Sequence, residues 1–389
     1  MTPGASPEAF DVCGPLPRGM TLLEASAGTG KTFTIAALTT RYVAEEAKPI
    51  DRLLVITFTR MATGELRERV RERLVRAFEG LAAVLSGSAP PEDDAIVRLL
   101  ADAPPSVQED RRDRLAKAIA DFDAATIETT HGFCLQVLYG LGTAGDVDRD
   151  VTLVEDVRDL MEEVVDDLYL QKFAHQPNQH GFEHADAVMV ARKVLEHPDA
   201  LVVPRASGGD DLDAVRARFA AAFCREMERR KRACKVMTYD DVLLRLRETL
   251  RDPVRGPHAR SRLRERYEVV LVDEFQDTDP VQWEIMQTAF GDRDTTLVLI
   301  GDPKQAIYAF RGADVQAYLR AKDQVTSEWT LGENWRSDKP LLDAYDALFG
   351  NAQLGQGGIE NLAGAGARTG VVDLEFGALV ELVPQPNFA

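Results

Sequence analysis

The 389-residue chain has only four cysteines, Cys13, Cys134, Cys224 and Cys234, and no two of them form a CxxC pair. That spacing argues against a disulfide framework and a thiolate zinc site, and it fits a reducing compartment. No stretch is apolar for long enough to span a bilayer, although hydrophobic residues make up 45% of the chain, ample for sizeable cores. Met1 to Phe10 lacks the basic and apolar regions of a secretory signal, so a cytoplasmic location without membrane contact is the expectation. Positive charge is in the minority: 46 Lys and Arg against 64 Asp and Glu leave a net charge of −18. That balance speaks against non-specific adhesion to nucleic acid by the whole surface. A local basic groove stays open, because charge contacts act within a Debye length of about 8–10 Å. No internal repeat is found, and the length suits two or three domains.

Against these absences stands Ala25-Ser26-Ala27-Gly28-Thr29-Gly30-Lys31-Thr32. An apolar strand, Thr21 to Leu23, precedes it, and a helix from Thr32 to Tyr42 follows. Strand, glycine turn and helix N-terminus make a phosphate cradle: backbone N–H groups point inward and the helix end adds partial positive charge. Lys31 can reach the β- and γ-phosphates, and the Thr32 hydroxyl can ligate Mg²⁺. Ala25 stands where the usual pattern has glycine.

A second anchor is Val269-Val270-Leu271-Val272-Asp273-Glu274, a buried parallel strand with two carboxylates at its carboxyl end. A nucleotide hydrolase needs such a pair: Asp273 for Mg²⁺ and Glu274 to orient and deprotonate water. Gln276 follows closely enough to sense the γ-phosphate or that water. Other strands, Asp51 to Thr57, Ala125 to Thr129, Thr295 to Ile300 and Trp329 to Leu331, also end in polar groups, as ligand sites in α/β sheets do. Phe58 ends one of them, where core packing and ligand contact are both reasonable. His131 follows another, and a lone His is more often a structural hydrogen-bonder than a catalyst. Tyr308, Phe310 and Arg311 interleave aromatic and basic side chains, a composition suited to single-stranded nucleic acid.

Between these stations, a charged helix is expected from Ala62 to about Leu85, a linker from Ser86 to Pro105, and a helix from about Gln108 to Phe122. Arg225 to Lys235 is a basic stretch within one predicted helix, equally compatible with phosphate tracking and with a solvated face. A final helix is expected from Pro340 to Phe349, followed by a Gly/Ala/Asn-rich segment to Gly370.

Strand, Lys31 loop and Asp273-Glu274 indicate an ATPase. Thr57-Phe58-Thr59 with Ala62, Glu65 and Arg69, then Thr126–Cys134, Asp273–Asp277, Gly301–Ala313 and Asn334–Ser337, occur after it in one order. That order resembles the UvrD/Rep-like branch of superfamily 1 DNA helicases. Within it, Glu24–Leu38, Asp273–Pro280 and Ile300–Asp314 resemble the RecB type. The resemblance covers about residues 10 to 350 and implies an α/β fold. It implies a P-loop RecA-like parallel sheet formed by 1–145 and 241–328, a helical accessory insertion at 146–240, and the start of a truncated second RecA-like domain at 329–389.

The resemblance assigns residues Ala25 to Thr32, with Gln305, to ATP and the nucleotide's coupling to DNA. It assigns Thr32 and Asp273 to Mg²⁺, Glu274 to activation of water, and Gln276 with Gln305 to coupling of the nucleotide to DNA. Arg336 becomes an arginine finger from the second domain, and Trp335 an aromatic stacked on adenine. Phe58, Thr59, His131, Tyr308 and Phe310 fall among its DNA contacts. It also implies single- and double-stranded DNA and RecC- and RecD-like subunits as partners. The family continues with further motifs and the RecB type with a nuclease. A fragment, a truncated reading frame or a chain whose ATP site needs a partner is therefore expected.

Overall fold

Four short runs of Val, Leu and Ile set the architecture, because each is too apolar to expose either face and must pair on both sides. The computed structural model describes residues 8–142, 145, 147–148, 150–173, 182–198, 212–292, 295–306 and 315–349. In chain order it holds β1 (Glu8–Ala9), β2 (Met20–Ala25), α1 (Lys31–Ala44), β3 (Leu53–Thr57), α2 (Arg60–Leu85), α3 (Ala95–Ala101), α4 (Pro105–Ala120), β4 (Thr126–Thr129) and α5 (Thr130–Leu141). There follow β5 (Thr152–Val154), α6 (Arg158–Phe173), α7 (His184–Glu196), α8 (Leu212–Cys234), β6 (Val236–Thr238) and α9 (Tyr239–Arg251). The rest is α10 (Gly256–Arg266), β7 (Val269–Val272), α11 (Pro280–Phe290), β8 (Thr296–Gly301), α12 (Val315–Lys322), β9 (Ser327–Leu331) and α13 (Lys339–Phe349).

Contacts divide the chain into two units, 1–133 with 250–389, and 134–249. The described part of the first unit is built on a parallel seven-stranded sheet in the order β1-β9-β2-β8-β7-β3-β4. β2, β8, β7 and β3 occupy its centre and are almost wholly buried. Alternate residues of these strands, Leu23, Val55, Leu271 and Ile300, pack with Ile35 and Leu38 of α1 and Leu66, Val70 and Leu74 of α2 in one core. Phe133, Tyr267 and Phe290 form a separate aromatic group, with ring centroids 6.0–6.4 Å apart.

Two sequence expectations change here. The stretch from Ser86 to Pro105 is more than a linker, since it contains α3. Asp94 caps that helix by accepting from Val97 N at 3.0 Å, and Ile96, Val97 and Leu100 are buried. Pro105 then starts α4, where a missing N–H costs nothing. The boundary expected at 328/329 falls inside β9, which pairs in parallel with β2 from Thr21↔Ser327 to Ala25↔Leu331. The last strand is thus a neighbour of the strand that carries the phosphate loop.

The described part of the second unit is largely helical. Met161, Val165, Phe182, Ala187, Phe219 and Phe223 join α6, α7 and α8 around one core. A two-stranded parallel sheet, β5 with β6, lies in the same unit. Residues 350–389 lie outside the described residues.

Candidate functional site

β2 runs straight into the phosphate loop. Gly28 and Gly30 take φ of 79° and 90°, the left-handed region open to glycine, and α1 begins at Lys31. Thr29 closes the turn through its Oγ1 (2.7 Å) and N (3.3 Å), both donating to Ser26 O. Among the described residues no side chain caps α1, and no acidic residue stands in its first turn. The helix N-terminus is therefore open to an anion. Thr32 is the second residue of α1, as a cation ligand beside that anion requires.

The tertiary fold brings this loop to the end of β7. Lys31 Nζ lies 2.6 Å from Glu274 Oε2. Gln276 Nε2 donates to the same oxygen at 2.8 Å, and Gln276 Oε1 accepts from Asp302 N at 3.0 Å. Gln305 Nε2 in turn donates to Asp302 Oδ2 at 2.7 Å. A continuous polar chain therefore joins Lys31, Glu274, Gln276, Asp302 and Gln305. Gly301 makes room for it, since a Cβ there would sit 2.6 Å from Gln276 Oε1. Glu274 itself adopts φ 50°, ψ 44°, an uncommon conformation for a residue with a side chain, held by Asp277 N donating to Glu274 O at 2.9 Å.

The donors for a divalent cation are also present. Asp273 is buried, and its Oδ1 has no hydrogen-bond partner among the described residues. Thr57 Oγ1 is in the same condition. β3 and β7 pair as Ile56↔Val272, and Asp273 N donates to Ile56 O at 2.8 Å, so Thr57 and Asp273 are neighbours at two adjoining strand ends. Buried oxygens without partners are costly unless a ligand or water meets them. This donor set fits Mg²⁺. Burial, with the charge of Glu274 second, holds the Asp273 carboxyl well above the usual carboxylate range, against the pull of Lys31. Sequence reading named Thr57 within a motif but gave it no role, and its position at the last residue of a buried strand was the available signal.

The stretch Asn334–Ser337 lies on the phosphate loop. Trp335 N donates to Gly28 O at 2.8 Å, Asn334 Nδ2 donates to Ala27 O at 3.3 Å, and Asn334 Oδ1 accepts from the N–H groups of Arg336 and Ser337. A Cβ on Gly28 would meet Arg336 Cβ at 2.7 Å. This stretch follows β9, so it reaches the loop from the same sheet, whereas the sequence reading brought Arg336 from a second domain. Trp335 is 77% exposed and Phe33 50%, and both come within 4.0 Å of where a Gly30 Cβ would stand. Two open aromatic side chains thus flank the turn. Phe33 was missed by sequence reading because a residue inside α1 reads as core.

Phe58 and His131 are half-buried just past the paired ends of β3 and β4, where Thr57 is opposite Thr129. Thr59 caps α2, its Oγ1 accepting from Ala62 N at 3.1 Å, so it has a structural duty of its own. Tyr308 and Phe310 lie outside the described residues. The basic helix resolves in favour of a charge-paired face. On α8, Arg229 and Arg230 pair with Glu226, Lys231 with Asp241 at 2.6 Å, and Arg232 with Glu228 at 2.8 Å.

With this geometry in hand, comparison with known proteins is specific. The UvrD/REP helicase N-terminal domain family matches residues 7–326. The chain is 49% identical over 350 residues to the RecBCD enzyme subunit RecB of Mycolicibacterium smegmatis, covering 90% of this chain and 31% of that protein. It is 46% identical over 354 residues to the RecB subunit of Mycobacterium tuberculosis, covering 90% and 32%. To that of Escherichia coli it is 28% identical over 454 residues, covering 85% and 38%. The chain therefore spans about a third of the length of these relatives. By the extent of the domain match and the order of its motifs, the chain belongs to the UvrD/REP helicase family.

Proposed function

We propose that the chain is the ATP-hydrolysing motor portion of a DNA helicase that moves 3′ to 5′ on single-stranded DNA and serves recombinational repair of double-strand breaks. The observation that carries this reading is the Lys31–Glu274 ion pair, which puts a phosphate-binding cation against the carboxylate best placed to handle water. When ATP enters, its β- and γ-phosphates take the N–H groups of the Gly28–Lys31 turn and compete with Glu274 for Lys31. Glu274, released from Lys31, orients a water molecule. The water oxygen bonds to the γ-phosphorus, the bond to the ADP oxygen breaks, and the proton passes to the Glu274 carboxylate. Mg²⁺, held by Thr32 and Asp273, would neutralise phosphate charge when bound. Arg336 adds positive charge beside the loop, and Trp335 and Phe33 offer π-faces to the base.

Gln276, Asp302 and Gln305 extend the polar chain away from Glu274, and Tyr308 and Phe310 follow Gln305 closely in sequence. With Phe58, Thr59 and His131, those two residues are the proposed DNA contacts. In this reading the insertion, 146–240, contacts duplex DNA, and residues after β9 lead into a second RecA-like domain. The relatives are named as subunits of a RecBCD enzyme, and RecC- and RecD-like chains are the proposed partners. No described helix is long and apolar enough to cross a membrane. The cytoplasm is the proposed location.

The test is ATP hydrolysis by the purified chain with and without single-stranded DNA. Turnover stimulated by DNA supports the motor reading. ATP binding without turnover supports the alternative, a nucleotide-dependent DNA-binding segment that depends on further chain or subunits for hydrolysis. No binding of ATP at all would overturn both.

A further inference from the structure

The residue after Gln276 has no part in the reading above, yet it is buried in the same place. Asp277 ends a 3₁₀ turn, Phe275–Asp277, that follows Glu274 directly. The turn is anchored by Phe275, whose ring stands 5.4 Å from Trp283 and 5.7 Å from Tyr318 by centroids. This fixes the backbone of Asp277 relative to β7. The residue is only 6% exposed. Its Oδ1 is buried with no hydrogen-bond partner among the described residues.

The ordinary duties of a buried aspartate are absent or taken by others. The helix that follows, α11, is capped by Asp279, whose Oδ1 accepts from Gln282 N at 2.8 Å. Lys31, the nearby cation, is committed to Glu274. Yet Asp277 stays beside the nucleotide site, because its N–H donates at 2.9 Å to the carbonyl of Glu274, the residue that holds Lys31. Burial and the Glu274 charge raise its carboxyl to about 7. When ionised, a carboxylate oxygen in such a position is costly unless a water or a ligand meets it.

The donor chemistry follows from the cation. Among the described residues no group of three or more His, Cys, Asp or Glu is arranged to hold a metal ion directly. A Mg²⁺ brought here by nucleotide therefore keeps water in several of its positions, as this ion generally does. Those waters are strong donors that need oriented acceptors around them. We propose that Asp277 is a positioning residue for the nucleotide's divalent cation, its buried Oδ1 accepting a hydrogen bond from a cation-bound water while Asp273 serves as the direct protein ligand. The inference rests on the nucleotide reading and adds to it an acceptor outside the coordination shell.

The test compares the affinity of the full 389-residue chain for a fluorescent ATP analogue in Mg²⁺ and in EDTA, with Asp277→Asn beside the unaltered protein. The ratio of the two dissociation constants isolates the contribution of the cation. Outer-shell partners typically change metal affinity about 10- to 100-fold; Asn keeps one acceptor oxygen but loses the charge that strengthens it, so Asp277→Asn should shrink the Mg²⁺-dependent gain by about tenfold, the lower end of that range. Affinity in EDTA should be unchanged or slightly tighter, because a negative charge has gone. Thermal unfolding without nucleotide or metal should occur at the same temperature or higher, since an unpartnered buried carboxylate has been neutralised. A Mg²⁺ gain equal to that of the unaltered chain overturns this inference alone. So does equal weakening in Mg²⁺ and EDTA, or a variant that fails to fold, either of which makes the carboxylate structural. An unaltered chain that binds no nucleotide under either condition overturns the nucleotide reading, and this inference with it.

Discussion

Two regions of the molecule are dense in charge, and they are built in opposite ways. On α8 the cations from Arg229 to Arg232 are each matched by a carboxylate. Around β7 the balance is left open. Asp273 and Asp277 keep buried oxygens without partners, and Lys31 is held by the residue that an entering phosphate would displace. Charge density in sequence marked both regions alike. What separates them is satisfaction: a solvated face closes its own valences, and a site leaves some for the ligand.

That contrast can be broken most severely at Lys31 and Glu274. Lys31→Ala should abolish ATP turnover, through loss of a donor at the phosphates that is worth about 10²–10³-fold or more. Glu274→Gln should bind ATP as well as the unaltered chain and lose turnover by about 10²–10⁴-fold, the range for a general base. Steady-state hydrolysis with parallel nucleotide titration checks both. Normal hydrolysis by Glu274→Gln would reassign the base.

Gly301→Ala should have the next largest effect. The new methyl would displace the Gln276 amide, so DNA-stimulated turnover should fall about tenfold. Nucleotide binding should hold, because Lys31 and its loop are untouched. An unchanged rate would mean that the Gln276 link carries no coupling.

A smaller effect lies in pH. Asp277 titrates at about 7 when folded against 3.8 ordinarily, and Asp273 is shifted the same way. The folded chain then holds protons that the unfolded chain has released, so stability falls as pH rises from about 4 to about 7. Urea unfolding of the metal-free chain should give a lower midpoint at pH 8 than at pH 5. Asp277→Asn should flatten that difference, and a difference that survives in full would place the cause elsewhere.

The smallest change is expected on α8. Replacing Arg229 and Arg232 with Gln should alter single-stranded DNA affinity by less than about twofold and leave the salt slope within one unit. A steeper loss would show that these paired cations are exchanged onto phosphate after all.

Much of the first unit was legible because its signals are local. Thr21–Leu23 followed by the glycine turn predicts β2 and α1, and the run Val269–Val272 predicts β7. α3 was not legible. Seven residues between two proline pairs form a helix only because Ile96 and Leu100 find α1 and α2 to pack against. β9 was legible as a strand but not as β2's partner, since parallel neighbours are joined by long connections and their pairing leaves no mark within either segment.

The chemistry of the candidate site divides in the same way. By itself the sequence determined which groups are present and in what local frame: the Gly28–Thr32 turn at a helix start, and Asp273-Glu274 at a strand end. Spacing along the backbone is covalent and short in range, so it survives in the one-dimensional record. Only the tertiary structure decided that Lys31 meets Glu274 across 243 positions, that Asn334–Ser337 lies on Gly28, and that Asp277 is buried without a partner. Each of these depends on strand order and on which side chains remain unsatisfied once the sheet has closed, and that accounting exists only when the whole fold is in place.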